Sequence, residues 1–278
     1  MIGSRLSSEI NASASEQAEG GPSVSRNRPS TALIVGGSSG VGLATAHRLV
    51  SQGITKIAIA ARSAERGAAA AASLSSAYVD ARFFVCDANN PNAAVALVAA
   101  VEATFGAIDV LVVSTAAAVL PRLLGDIDPT EIPRILVDQA AAPMLMSRAV
   151  LPGMRARQSG AIVLVASDAA KSATPGETVI GAAMAAITMF ARAMAMEVKR
   201  DGIRVNIVTP SLISGTPIYE RLMEDEFSAR LFGKAAKLAS LGVANADDVA
   251  ATIAFLCSPD AARITGQAIS VNGGISAA

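Results

Sequence analysis

Val35-Gly36-Gly37-Ser38-Ser39-Gly40-Val41-Gly42 follows the apolar run Thr31-Ala32-Leu33-Ile34 and precedes the helical pattern Val41–Val50. A strand, a glycine turn and a helix start in that order have a specific physical use. Gly36 lets the chain turn sharply at the strand end. Gly40 removes side-chain bulk where a pyrophosphate would approach, and Gly42 lets helix pack closely on strand. The helix N-terminus then presents unpaired N–H groups and the positive end of its dipole to an anion. Gly36, Ser38, Ser39, Gly40, Val41 and Gly42 are therefore the candidate phosphate-binding residues. Their Gly-xxx-Gly-x-Gly spacing differs from the commoner Gly-x-Gly-x-x-Gly. His47, the only histidine, falls inside the helix that follows and is read as structural.

The pattern continues outward from this turn. Apolar β-type runs at Thr31–Val35, Lys56–Ala60, Arg82–Cys86, Val110–Ser114, Ala161–Ala166, Arg204–Val208 and Ala268–Val271 alternate with Ala-rich helical stretches. Near-continuous apolar runs are what parallel strands covered on both faces require. The expectation is an α/β Rossmann-type fold: one doubly wound parallel sheet of about seven strands, helices on both faces, in a single domain. Asp128-Pro129-Thr130-Glu131 supplies a helix start. Gly53, Gly106, Gly160 and Gly202 stand between helix and strand, where a left-handed helix end calls for glycine. Residues 1–30, rich in Ser, Glu, Ala, Asn and Gly, are read as a disordered tail ahead of a domain spanning 31–278.

Composition narrows the functional classes. Among 278 residues, 23 Lys and Arg balance 23 Asp and Glu, so nothing favours nucleic acid or an anionic membrane as partner. Aromatics at 3% with no tryptophan argue against a base-stacking platform. Cys86 and Cys257 have no metal or redox spacing and read as buried hydrophobes in a cytoplasmic protein; no metal site is expected. The most apolar stretch, Gly181 to Val198, carries Arg192 and Glu197 and reads as a buried or interface helix.

Two further positions suggest which anion binds. The second strand ends Ala60-Ala61-Arg62, with no carboxylate to take the ribose hydroxyls of NAD. Arg62 suits a 2′-phosphate, so NADP(H) is favoured over NAD(H). After the third strand, Asp87-Ala88 places a carboxylate for an adenine amino group.

Together these residues resemble the short-chain dehydrogenase/reductase family over about residues 30 to 274. Gly36-xxx-Gly40-x-Gly42 is similar to its cofactor turn, with Val35 where threonine is common, and Asp87 matches its adenine-side aspartate. Arg204-Val205-Asn206-Ile207-Val208-Thr209-Pro210-Ser211 resembles the segment beside the nicotinamide. Ser214-Gly215-Thr216-Pro217 resembles the start of the lid, displaced by one residue. Ile264-Thr265-Gly266-Gln267 and Val271-Asn272-Gly273-Gly274 match the end of the family pattern. The resemblance adds Thr115, Ala116, Pro210, Ile213 and Thr216 to the cofactor contacts.

The active-site pattern departs from the family. There a tyrosine moves the proton, a lysine four residues later lowers its pKa and holds the ribose, and a serine thirteen residues earlier fixes the substrate oxygen. Ser167 occupies the serine position. Counting onward reaches Ile180 and Met184, neither of which carries a proton. No tyrosine lies between Tyr78 and Tyr219, so sliding the register restores nothing. The helix asparagine corresponds to Gln139, and Ala116 replaces the glycine of the family's Asn-Asn-Ala-Gly run.

Ser167, Gln139 and Asp168 are the candidate catalytic residues. Asp168 or Glu177 would serve as substitute acid if burial raised its pKa; solvated loop charge is the plainer reading of both, and of nearby Lys171 and Thr178. Three functions fit. One is an NADP(H)-dependent oxidoreductase using Ser167 on a small carbonyl, alcohol or imine. Another is a non-redox enzyme catalysing cyclisation, elimination or isomerisation. The last is a catalytically silent subunit partnering an active dehydrogenase. The segments 120–124 and 218–232 suggest an apolar substrate. Helices around Ile135–Met154 and Gly181–Val198 resemble the family's dimer surfaces, so a homodimer or homotetramer, or a hetero-oligomer with an active paralogue, is expected.

Overall fold

The computed structural model describes residues 29–277. Seven parallel strands form one sheet: β1 (Thr31–Val35), β2 (Lys56–Ala61), β3 (Asp80–Val85), β4 (Val110–Val113), β5 (Gly160–Val165), β6 (Ile203–Pro210) and β7 (Ala268–Val271). Their order is β3-β2-β1-β4-β5-β6-β7, reversing direction between β1 and β4. The expected Rossmann-type architecture is therefore the observed one. A ligand crevice forms at such a reversal, beyond the strands' carboxyl ends.

Eight α-helices are described: α1 (Gly40–Ser51), α2 (Ala64–Leu74), α3 (Pro91–Phe105), α4 (Ile132–Arg157), α5 (Thr178–Val198), α6 (Pro217–Glu224), α7 (Glu226–Leu238) and α8 (Ala246–Cys257). Strand periodicity divides the core in two. Leu33 and Val35 point to the layer of α3, α4 and α5, while Ala32 and Ile34 point to the layer of α1, α2 and α8. All four are buried, so β1 is apolar on both faces as a central parallel strand must be. Truncating a side chain such as Leu33 there costs on the order of 2–5 kcal/mol.

Helix ends follow local chemistry. Asn90 caps α3, with Pro91 in the first turn, and the helix stops at left-handed Gly106. Asn245 and Asp248 close a reciprocal capping box on α8. Gly53, Gly106 and Gly202 take positive φ as expected, but Gly160 does not. The left-handed residue at that helix end is Gln158, at φ 52°. Gly160 instead opens β5 where Met154 fills the space a Cβ would need. Asp128-Pro129-Thr130-Glu131 makes a 3-10 turn capped by the Asp128 carboxylate, and α4 proper begins at Ile132.

The expected tail lies outside the described residues over 1–28. Ser30, assigned to it, already belongs to the domain: its N–H donates to Asp109 Oδ2 at 2.8 Å and its carbonyl accepts from Lys56 N. The apolar helix α5 is long enough to cross a membrane by length and composition. It packs nonetheless in the core through Ala183, Ile187, Ala191 and Ala195.

Candidate functional site

The glycine turn closes against β4. Gly36, at φ 83°, lies where a Cβ would strike the Ser114 carbonyl, and a Cβ on Gly42 would strike the Gly36 carbonyl. Side chains at both positions are therefore excluded by backbone. Ser39 stands at the N-cap of α1 but gives it no side-chain hydrogen bond. The first N–H groups of α1 and the Ser38 and Ser39 hydroxyls thus have no partner among the described residues and are open to a ligand, in contrast to the capped α2, α3 and α8. Val41 is buried behind the turn.

The rest of the expected cofactor set surrounds this turn. Arg62 is exposed just past β2 and makes no ion pair among the described residues. Asp87 is exposed after β3, where one carboxylate oxygen accepts from Asn89 N at 3.2 Å; Ala88 beside it is buried. Thr115 and Ala116 follow β4, with Ala116 open to solvent. Pro210 ends β6. Thr216 is buried, caps α6 by accepting from Tyr219 N, and donates to the Ile213 carbonyl at 3.0 Å. Its methyl would sit 3.5 Å from a Cβ on Gly40, so the lid start rests on the phosphate turn. An uncapped helix end, behind a turn whose Gly36 and Gly42 admit no side chain, fits the pyrophosphate of a dinucleotide.

Ser167 is half-buried at the end of β5. Its Oγ accepts from Ala169 N at 3.2 Å, which leaves the hydroxyl proton to donate to a substrate oxygen. Ile180 and Met184 lie one turn apart on α5, a helix whose sequence contains neither tyrosine nor lysine. Met184 is buried in the core.

Asp168 corrects the expectation of a solvated loop charge: it is 5% exposed. Its carboxylate accepts from Ser270 Oγ and Ser276 Oγ, each at 2.9 Å, and from Asn272 Nδ2. Lys171 Nζ lies 3.6 Å away and donates to Ser270 Oγ. A carboxylate so saturated ties the loop after Ser167 to β7 and the C-terminal segment. Lys171 is likewise a buried partner rather than a solvated charge.

Glu177, at the N-terminus of α5, keeps the property expected of a substitute acid. Burial pushes its pKa up, against a smaller opposing effect of a Thr174 hydrogen bond.

A cavity of about 240 Å³ opens beside Ile180. Val119, Leu120, Val179 and Ile180 give it an apolar wall, as expected of residue 120. Arg122, Asp126, Glu131 and Arg134 also line it, so its wall is not purely apolar, and no residue of 218–232 lines it. Arg122 lies in a loop, Asp126 and Glu131 in separate 3-10 turns and Arg134 in the first turn of α4, so no single periodic pattern in the sequence gathers these charges.

Gln139 is 7% exposed on α4. The helix is opened around it. Asn89 Oδ1 accepts from Ala142 N at 3.0 Å and Asn89 Nδ2 donates to the Asp138 carbonyl at 3.4 Å, replacing one rung of the helical ladder. Pro143 has no N–H for the Gln139 carbonyl. Nothing in the sequence pairs Asn89 with α4, since 53 residues separate it from Ala142.

Comparison with known proteins agrees with this geometry. A family profile described as Enoyl-(Acyl carrier protein) reductase matches residues 35–276. The chain is 33% identical over 246 residues to the 3-oxoacyl-[acyl-carrier-protein] reductase FabG of Vibrio harveyi, covering 88% of this chain and 96% of the relative. It is 32% identical over 254 residues to the short-chain reductase protein NovJ of Streptomyces niveus, covering 90% and 95%. It is 32% identical over 245 residues to human dehydrogenase/reductase SDR family member 4, covering 87% and 86%. The crystal structure of levodione reductase superimposes with a TM-score of 0.82 at 27% identity, covering 88% of this chain and 96% of that one.

Proposed function

Because the chain belongs to the short-chain dehydrogenase/reductase family, whose members use a nicotinamide cofactor, we propose that it is an NADP(H)-dependent oxidoreductase. Its substrate is a small, largely apolar carbonyl, alcohol or imine, handled without a tyrosine–lysine proton relay. The observation that carries the reading is the uncapped start of α1 behind Gly36–Gly42, with Arg62, in no ion pair among the described residues, just past the neighbouring strand. An arginine there and no carboxylate favour the 2′-phosphate of NADP over the free ribose of NAD.

When bound, the cofactor supplies or accepts hydride. The chain's own groups position the other reactant. The Ser167 hydroxyl donates to the substrate oxygen, or to nitrogen in an imine. Ile180 and Met184 leave the adjoining wall apolar and without a proton. Glu177, its pKa raised by burial at the start of α5, is the carboxyl group assigned to return one, although Asp126 and Glu131 also line the cavity beside Ile180. The apolar side chains Leu136, Val137, Met189 and Met196, exposed on α4 and α5, favour pairing with a second copy. Two buried, unpaired cysteines suit a cytoplasmic location.

The test is ligand binding followed by turnover. NADPH should raise the melting temperature more than NADH does, and NADPH should be consumed with a panel of small ketones and cyclic imines. No thermal shift with either nucleotide would overturn the reading. Turnover of an added substrate without NADPH oxidation would move the protein to the non-redox class, and activity only with a co-purified paralogue would make it a silent partner.

A further inference from the structure

We propose that the Gln139 carboxamide binds the hydroxyl groups of the ribose on the nicotinamide side of the cofactor. This rests on the cofactor reading above and adds a residue role to it.

The first observation is a largely buried carboxamide with no partner among the described residues. Gln139 is 93% buried by difference from its 7% exposure, yet its side chain makes no hydrogen bond among the described residues. Buried carboxamides without partners are rare, because each lost hydrogen bond leaves a desolvation cost. Among the described residues, the only side-chain polar atom both fully sealed and unpartnered is Ser147 Oγ. The Gln139 amide therefore keeps a narrow opening to solvent, as a group waiting for a ligand would.

The second observation is place. Asn89, just beyond the carboxyl end of β3, bonds to Asp138 and Ala142 and so sets this turn of α4 at the carboxyl edge of the sheet. The cavity beside it draws Ile135 of α4 together with Val179 and Ile180 of α5. One helical turn further on, both helices being connected to parallel strands and running the same way, Gln139 comes level with Met184. The phosphate turn lies against Ser114 and Thr115 at the end of β4. A dinucleotide anchored there, with its adenine toward Asp87, would extend its other nucleoside across the switch point toward the ends of β4 and β5, on the side of α4 and α5.

The third is chemical match. That nucleoside presents a vicinal diol, which donates and accepts. A carboxamide offers both an N–H pair and a carbonyl. The facing turn of α5 offers only Ile180, Ala183 and Met184, so no other side chain on it competes for the diol. The Asn89 wedge and Pro143 keep the ladder open, which frees this turn to face a ligand instead of closing on itself.

Gln139→Met removes the amide at nearly constant volume. Dissociation constants are measured for NADPH and for adenosine 2′,5′-bisphosphate, which lacks the second ribose, together with the melting temperature of the ligand-free chain. The expected result is about tenfold weaker NADPH binding, the loss of one or two ligand hydrogen bonds. Bisphosphate affinity should be unchanged, and the ligand-free melting temperature unchanged or higher. Unchanged NADPH affinity, or parallel weakening of both ligands, overturns the assignment. If the unmodified chain binds neither NADPH nor NADH, the cofactor reading itself fails and takes this one with it; if it prefers NADH, the comparison is made with NADH and ADP.

Discussion

The Asp225 carboxylate and the Arg122 guanidinium lie parallel, with Nη1 3.0 Å from Oδ1 and Nη2 2.9 Å from Oδ2. Arg122 also donates its backbone N–H to the Gly176 carbonyl at 2.8 Å, and Phe227 covers Gly176 so closely that a Cβ there would touch its ring. The loop after β4, the loop before α5 and the lid helices α6 and α7 thus meet at one clasp. Two-point arginine–carboxylate geometry makes it directional as well as attractive.

Cutting the clasp should free the lid. Arg122→Met is expected to accelerate proteolytic cleavage within residues 217–238 several-fold while leaving the core's melting temperature nearly unchanged. Hydrogen bonds from Ser228, then from Arg122, hold the Asp225 pKa down to about 2. Its contribution is therefore full above the ordinary aspartate value and lost only as pH falls through about 2. Proteolysis between pH 5 and 8 should show no change in lid protection from this pair.

Asp168 is a structural anchor, and its removal should show in stability first. Asp168→Ala leaves Lys171 buried, at 10% side-chain exposure, without its counter-charge. A cost of about 3 kcal/mol follows, lowering the melting temperature by roughly 6–12 °C in a chain of this size. An acid in catalysis would instead change the pH–rate profile with little loss of stability, so calorimetry and a pH profile on one variant separate the roles.

Arg62 decides between the two nicotinamide dinucleotides. Arg62→Ala should weaken NADPH about tenfold, the worth of one charge-assisted contact, and leave NADH within twofold. Equal weakening of both would remove Arg62 from the 2′-phosphate site.

Glu177 makes a prediction with a definite sign. Burial raises its pKa above the ordinary 4.5, so its neutral form is the one the fold prefers. That preference is fully present below the unfolded value and is lost as pH rises through the folded one. Glu177→Gln should accordingly raise the melting temperature at pH 7 and make no difference near pH 4. If Glu177 also returns the proton, the same variant loses the alkaline limb of the rate profile; a limb that persists assigns the proton elsewhere.

The phosphate turn was legible in the sequence because its chemistry is local. Gly36, Gly40 and Gly42 sit within seven residues, and the backbone alone explains each of them. The seven strands were legible for a similar reason, since a parallel strand buried on both faces must be apolar throughout. Gly160 shows the limit: a glycine between helix and strand looks like a left-handed cap, but here Met154 required it and Gln158 took the turn. Asp168 shows it more sharply. Its partners at Ser270, Asn272 and Ser276 are more than 100 residues away, so a buried, saturated carboxylate reads in sequence as an ordinary loop charge.

By itself, then, the sequence determined the sheet, the phosphate turn, the arginine beside it and the want of tyrosine and lysine on α5. These depend on residue type and on neighbours a few positions away. Tertiary structure alone decided that Asp168 is held by the C-terminal segment, that Arg122 fastens the lid and that Gln139 stands buried without a partner among the described residues. Such facts depend on which distant groups meet and on how much water is left between them, and no short-range pattern encodes either.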